Sequence, residues 1–253
     1  MPLYDNNPKH RIPFQFVTVA LIAACVGVYL WQFSLGPKGG QDAVYALGAI
    51  PAVVSGHKTL PPDLAWVPAE LTLITSMFMH GGWMHLIGNM LYLWILGDNV
   101  EDAMEHVKFL IFYLLSGLAA VFAHMALDTA STVPLVGASG AISGVIGAYL
   151  LLHPTAKIHT LVMFRFMVAL PAWVALGLWI ALQFFNAAQD AGGTGGGVAW
   201  WAHIGGAVAG MILVPFFKHR DIPLLAGIGG RPLYPVEPRQ HGKGYKRARW
   251  PWR

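Results

Sequence analysis

Six stretches close to 20 residues long, almost free of charge, constrain this chain more than any other feature. They occupy residues 13–35, 83–100, 107–127, 138–152, 166–188 and 199–217. A helix needs ~20 apolar residues to cross ~30 Å of hydrocarbon, whereas a soluble α/β protein interrupts its apolar runs far sooner. Composition agrees: 56% of the 253 residues are hydrophobic and 11% are charged, against about 25% charged in a soluble domain. The expected fold class is an all-α polytopic membrane protein, a bundle of six transmembrane helices. The fourth stretch is the shortest and should be covered by its neighbours. The first is too long for a signal peptide and no small-residue cleavage site follows it, so it reads as a first span. A lone cysteine, Cys25, excludes a disulfide within the chain. No nucleic-acid-binding module is present, and the net charge of +4 comes mostly from the C-terminal tail.

Lys and Arg placement orients the spans. With the N-terminus in the cytoplasm, the inside segments hold fourteen Lys and Arg and the outside segments only Lys38 and Lys58. The expected organisation is a cytoplasmic segment 1–12, a membrane domain 13–217 and a basic cytoplasmic tail 218–253. A bacterial inner membrane is the expected location. The first external segment, 36–82, is too long for a connector. Its apolar pieces at 51–54 and 71–79 are too short to cross, so an interfacial or re-entrant structure is expected. The external loop around Gly192–Gly197 should be flexible, and the Pro/Gly-rich tail should lie near anionic lipid.

Polar groups inside spans are costly and are functional candidates by default. His85 and Asn89 sit four residues apart on one face of the second span. Ser139 begins the fourth span, and His203 lies one turn into the sixth. Spans two, four and six all run inward from the outside, so these groups share one depth near the outer surface. A serine hydroxyl is a poor nucleophile without a base, and His203 can take its proton and pass it to a leaving amine. The developing oxyanion needs donors. Ser139 opens a helix, so its own N–H is free at the positive end of a dipole, and His85 and Asn89 can add two more. Gly137 lets backbone approach a substrate closely. Gly140 and Gly144 on the fourth span, and Gly206 and Gly210 on the sixth, form small-x3-small faces that let two helices pack tightly. Close packing of these two spans is what a Ser–His hydrogen bond demands.

These residues resemble the rhomboid family of intramembrane serine proteases. The His-x4-His-x3-Asn pattern is matched by His80, His85 and Asn89. Gly-x-Ser-Gly is matched by Gly137, Ser139 and Gly140, and Ala-His-x2-Gly-x3-Gly by Ala202, His203, Gly206 and Gly210. A Gly-x3-Glu pattern fits Gly97 and Glu101. The resemblance covers about residues 12–217. It implies a Ser139–His203 dyad without a triad aspartate, cleavage of transmembrane proteins near their outer ends, a first loop embedded at the membrane, and substrate access between spans two and five. Two positions depart from the family pattern: Ser143 stands where many members place an aromatic under the histidine ring, and Val67 follows Trp66 where an arginine is common.

Blander readings stand beside these. Alone, Ser139 would be a packing residue and His85 a solvated loop residue. His80 reads as a structural hydrogen-bonding group of the first loop, and Glu101 as a cap or inter-helix partner. No His-Glu-x-x-His occurs among the eleven histidines, so neither a metal nor another cofactor is expected. The expected partners are transmembrane protein substrates and the lipid bilayer, with no nucleic acid. The alternative is a rhomboid-like binder that engages membrane clients without cutting them. A transporter would need mid-membrane charge and repeat symmetry, and the sequence offers neither.

Overall fold

A computed structural model describes residues 2–5, 7, 9–162, 165–190 and 199–228. A short strand β1 (Pro2–Asp5) precedes the first long helix, α1 (Phe16–Ser34). The first loop then holds α2 (Gly36–Leu47), α3 (Pro51–Val54), a 3-10 turn at Ala69–Leu71 and α4 (Thr72–Thr75). The bundle continues with α5 (Trp83–Met104), α6 (His106–Met125) and α7 (Ser139–Leu152). Strands β2 (Lys157–Val162) and β3 (Phe166–Pro171) lead into α8 (Ala172–Asp190), and α9 (Trp200–Phe217) closes the bundle.

Four of these helices, α1, α6, α8 and α9, are long and apolar enough to cross a membrane. The other two expected spans fall on α5, whose last turns carry Asp98, Glu101 and Asp102, and on the 14-residue α7. The chain is a polytopic, mainly helical membrane protein. The apolar pieces of the first loop form helices of four residues, α3 and α4, and not crossings. The Gly192–Gly197 loop and residues 229–253 of the tail lie outside the described residues.

One boundary differs from the sequence reading. Residues 166–171, expected to open the fifth span, form β3, and the helix starts at Ala172. β3 pairs antiparallel with β2, which pairs antiparallel with β1, so the bundle carries a three-stranded sheet at one end.

Two buried carboxylates at the end of α5 organise that same end. The first backbone N–H groups of a helix need acceptors, and no side chain of α1's own first turn provides one. Glu101, fully buried, accepts the amides of Val17 (3.0 Å) and Thr18 (2.8 Å) and the Thr18 hydroxyl (2.6 Å). Its negative charge also suits the positive end of the α1 dipole. Gly97, one turn earlier, faces Thr18 so closely that a Cβ would lie 3.1 Å from it. Next to Glu101, Asp102 accepts the successive amides of His10 (2.9 Å), Arg11 (2.7 Å) and Ile12 (2.8 Å).

At the other end of the bundle, α7 and α9 run parallel with their glycines in contact. A Cβ on Gly206 would lie 2.1 Å from the Gly140 carbonyl oxygen, and one on Gly210 would lie 2.1 Å from that of Gly144. Real Cβ atoms do not come that close, so backbone touches backbone along this seam. α6 packs antiparallel on both, with Ala120 against Gly140 and Ser116 against Gly144. α7 is the buried centre of the bundle: every residue from Gly140 to Tyr149 is buried. That covering accounts for its short length.

Candidate active site

The α7–α9 seam leads directly to the site. Ser139 is the first residue of α7 and His203 lies in the first turn of α9. Parallel helices held at glycine distance bring the two side chains together, with Ser139 Oγ 2.8 Å from His203 Nε2. A hydroxyl so placed can give its proton to the imidazole as it attacks a carbonyl.

Gln183, on α8, contacts the other imidazole nitrogen. Its Oε1 lies 2.8 Å from His203 Nδ1, and its Nε2 donates to the Trp179 carbonyl at 3.0 Å. Around the ring stand Trp179 from α8, at 5.8 Å between centroids and tilted, and Trp200 from α9, at 6.2 Å and edge-on. The position where family members place an aromatic is taken here by Ser143, fully buried, whose hydroxyl donates to the Ser139 carbonyl at 2.6 Å. The sequence reading missed Gln183. The signal for it was present, since a polar side chain deep in an apolar segment needs a partner there.

α5 begins at the same end and supplies the opposite wall. The Gly81 amide approaches His85 Nδ1 at 3.4 Å. Nδ1 is therefore the acceptor, and Nε2 carries the proton. Gly137, with φ +120° and its amide donating to the Ser76 carbonyl at 2.9 Å, lies against this ring. A Cβ there would sit 2.6 Å from His85 Nε2 and 3.6 Å from Asn89 Nδ2. Only glycine suits both the backbone angle and the space. Asn89 is buried, and its Nδ2 has no hydrogen-bond partner. A buried donor without a partner is rare and calls for a reason.

Ser139, His203, His85, Asn89 and Gly137 all line one cavity of about 580 Å³, together with Tyr92 and Trp179. No side chain caps α7, which leaves its first amides, that of Ser139 included, at the cavity wall. The cavity therefore combines a hydroxyl–imidazole pair with donors in position for a developing negative charge. Tyr92 and Trp179 meet at 6.2 Å between α5 and α8. Among the described residues no group of three His, Cys, Asp or Glu side chains could hold a metal ion.

His80 lies outside the cavity lining, behind His85. Its Nδ1 donates to the Phe78 carbonyl at 3.1 Å, its own carbonyl accepts from Gln32 at 2.9 Å, and its ring meets His85 at 5.2 Å edge-on. It ties the first loop to α1. Glu101 sits at the opposite end of α5, capping α1 as described, with His106 Nδ1 at 2.5 Å.

The chain is 32% identical over 236 residues to "Rhomboid protein 1, mitochondrial" of Saccharomyces cerevisiae, covering 83% of this chain and 65% of the yeast protein. It is 32% identical over 212 residues to "Presenilin-associated rhomboid-like protein A, mitochondrial" of Danio rerio, covering 76% of this chain and 54% of that protein. A shorter match, 40% over 78 residues, is to "Rhomboid protease GluP" of Bacillus subtilis, covering 31% of this chain and 15% of the relative. The chain spans less than two thirds of the length of these relatives. Residues 68–220 match the Rhomboid domain model, a segment that runs from the first loop through α9 and includes both members of the Ser139–His203 pair, so the chain belongs to the rhomboid family.

Proposed function

We propose that this protein is an intramembrane serine endopeptidase that cleaves transmembrane segments of other membrane proteins. The observation that carries the reading is the 2.8 Å contact between Ser139 Oγ and His203 Nε2, made by two helix starts at the wall of a cavity in a membrane bundle. Ser139 is the nucleophile, and His203 is the general base and then the acid that protonates the leaving amine. The Ser139 amide, His85 Nε2–H and Asn89 Nδ2 stabilise the oxyanion. Gly137 keeps the space above them open. Gly140, Gly144, Gly206 and Gly210 hold the dyad by packing, and His80 and Glu101 brace α5 from its two ends.

The basic residues favour an orientation with both termini in the cytoplasm and the dyad near the outer surface, where water can reach it. The membrane domain is 13–217. The named relatives come from mitochondria and from bacteria, so the bacterial inner membrane expected from the sequence has no special support among them. A substrate helix must unwind locally, because its carbonyls are tied up in backbone hydrogen bonds. Small or helix-breaking residues near the cut should therefore be preferred.

The test is cleavage of a transmembrane reporter in detergent by purified wild type, Ser139→Ala and His203→Ala, with fluorophosphonate labelling alongside. Wild type should cut and be labelled at Ser139, and both variants should lose cleavage. Undiminished cleavage by Ser139→Ala would sink the reading. A folded wild type that is neither active nor labelled would point to a client-binding protein.

A further inference from the structure

The hydrogen bonds around His203 form a chain whose direction is fixed at its far end. The Trp179 carbonyl can only accept, so the Gln183 group facing it at 3.0 Å is the amide nitrogen. The carboxamide oxygen must then be the atom 2.8 Å from His203 Nδ1, and that nitrogen must carry the proton. This leaves Nε2 unprotonated and able to accept from Ser139 Oγ, 2.8 Å away. One backbone carbonyl on α8 thus sets the tautomer of a ring on α9 and the polarity of the bond to α7.

Gln183 is the one polar side chain in the buried stripe of α8. It is 5% exposed, on a helix whose neighbouring residues Leu182, Phe184 and Phe185 are all exposed. The buried stripe of α8 is Ala172, Leu176, Gln183 and Ala187, a spacing of nearly whole turns. An apolar residue there would pack as well and cost less to bury. Among the described residues neither nitrogen of His203 has a carboxylate partner, and the nearby titratable rings are His85 and His124.

We propose that Gln183 is the positioning residue of the Ser139–His203 pair, holding His203 in the Nδ1–H tautomer through a carboxamide aimed by the Trp179 carbonyl. The pair is then aligned for proton transfer only while α8 is seated, because the orienting group sits on α8 and not on the α7–α9 seam. In serine proteases the equivalent place is held by a carboxylate that also stabilises the imidazolium. A neutral amide fixes the tautomer but contributes less to the charged state. This inference rests on the protease reading, but one of its measurements does not.

That measurement is the ¹⁵N spectrum of the histidine-labelled full chain in detergent, with His203 assigned by difference against His203→Gln. His203 should show a protonated Nδ1 and a bare Nε2 in wild type, and a mixture of tautomers in Gln183→Leu. In the reporter assay Gln183→Leu should lower kcat about 10- to 100-fold, by analogy with the loss of a group that orients a metal-bound histidine, with KM changed by no more than about twofold. Gln183→Glu should keep more activity than Gln183→Leu. It should also move the acid limb of the pH–rate profile to higher pH, because a carboxylate stabilises the imidazolium. If the side chain at 183 did not contact the ring, that limb would stay in place. Wild-type kcat in Gln183→Leu, an unmoved acid limb in Gln183→Glu, or a protonated Nε2 in wild type would each overturn the proposal. If Gln183→Leu does not fold, the wild-type spectrum and the Gln183→Glu profile still decide it. Cleavage retained by Ser139→Ala would refute the protease reading alone and leave the tautomer measurement to judge this one.

Discussion

α9 is held by its two neighbours α7 and α8 in different ways. Against α7 it packs backbone to backbone, with glycine carbonyls where side chains would normally be. Against α8 it packs through side chains, and the outward face of α8 carries Trp173, Leu178 and Phe185, each about 60% exposed. Steric fit gives the first contact one register, because nothing can shift without a clash. The second contact has no such seam: a Cβ on Gly177 of α8 would meet nothing within 4 Å. The difference matches what each contact holds. The seam fixes where Ser139 and His203 are, and α8 fixes how the histidine ring is turned.

The largest effect is expected at the seam between α7 and α9. Gly210→Ala puts a methyl 2.1 Å from the Gly144 oxygen and 2.6 Å from the Gly144 Cα. Overpacking costs about 1–3 kcal/mol and more where backbone is the obstacle, so this single methyl should sharply reduce folded yield and abolish cleavage. Thermal unfolding in detergent measures it, and a melting temperature within a degree or two of wild type would show that the helices can separate freely.

An intermediate effect is expected where the sheet anchors the start of α8. Asp5 on β1 accepts from the Tyr149 hydroxyl and from Asn99 Nδ2 (3.0 Å), with the Asp98 carboxylate close by. Burial, reinforced by Asp98, pushes its carboxyl up to about 7 from the usual 3.8. The docked strand therefore keeps a proton that a released strand would lose. Docking is strongest at low pH and weakens as pH rises through the window from 3.8 to about 7. Limited proteolysis within residues 1–12 should speed up by as much as roughly tenfold between pH 6 and pH 8, after correction for the protease's own profile. Asp5→Asn should flatten this dependence. A wild-type rate independent of pH would mean that Asp5 stays ionised in the docked strand.

The smallest change should come from the outward face of α8. Phe185→Ala removes a ring that faces lipid, and lipid tails are as apolar as the ring's neighbours. Stability should move by no more than about 0.5 kcal/mol. A loss comparable to that of Gly210→Ala would erase the contrast between the two contacts.

The sequence showed the long helices because apolar length is a strong signal, and it showed Ser139, His203, His85 and Asn89 because polar groups inside such stretches stand out. It did not show that residues 166–171 form a strand, since a short apolar run has no periodicity that separates strand from helix. Only its partner β2 decides the matter. Nor did it show α2, whose opening Gly-Pro-Lys-Gly-Gly argues against a helix by propensity. Trp179 shares an apolar run with the exposed Trp173, Phe184 and Phe185, and nothing local marks it as the one that lines the cavity. Gln183 carried the same signal as Ser139 but drew no notice without a motif around it. β1 could not be seen locally, because four residues with partners in β2 leave no mark on their own neighbourhood.

That distance in the chain has a consequence for how the protein is made. Thr160 leaves the ribosome long after Pro2, the residue it pairs with. At about 5–20 residues per second the gap is on the order of ten seconds or more. β1 is thus synthesised well before the strand it pairs with, and it is among the last elements to find its place. For that interval its backbone must be satisfied by water or by transient partners, while α1, α5 and α6 are already entering the membrane. The sheet closes only after α7 exists. The start of α8 therefore gains its anchor at about the moment α8 itself is being made.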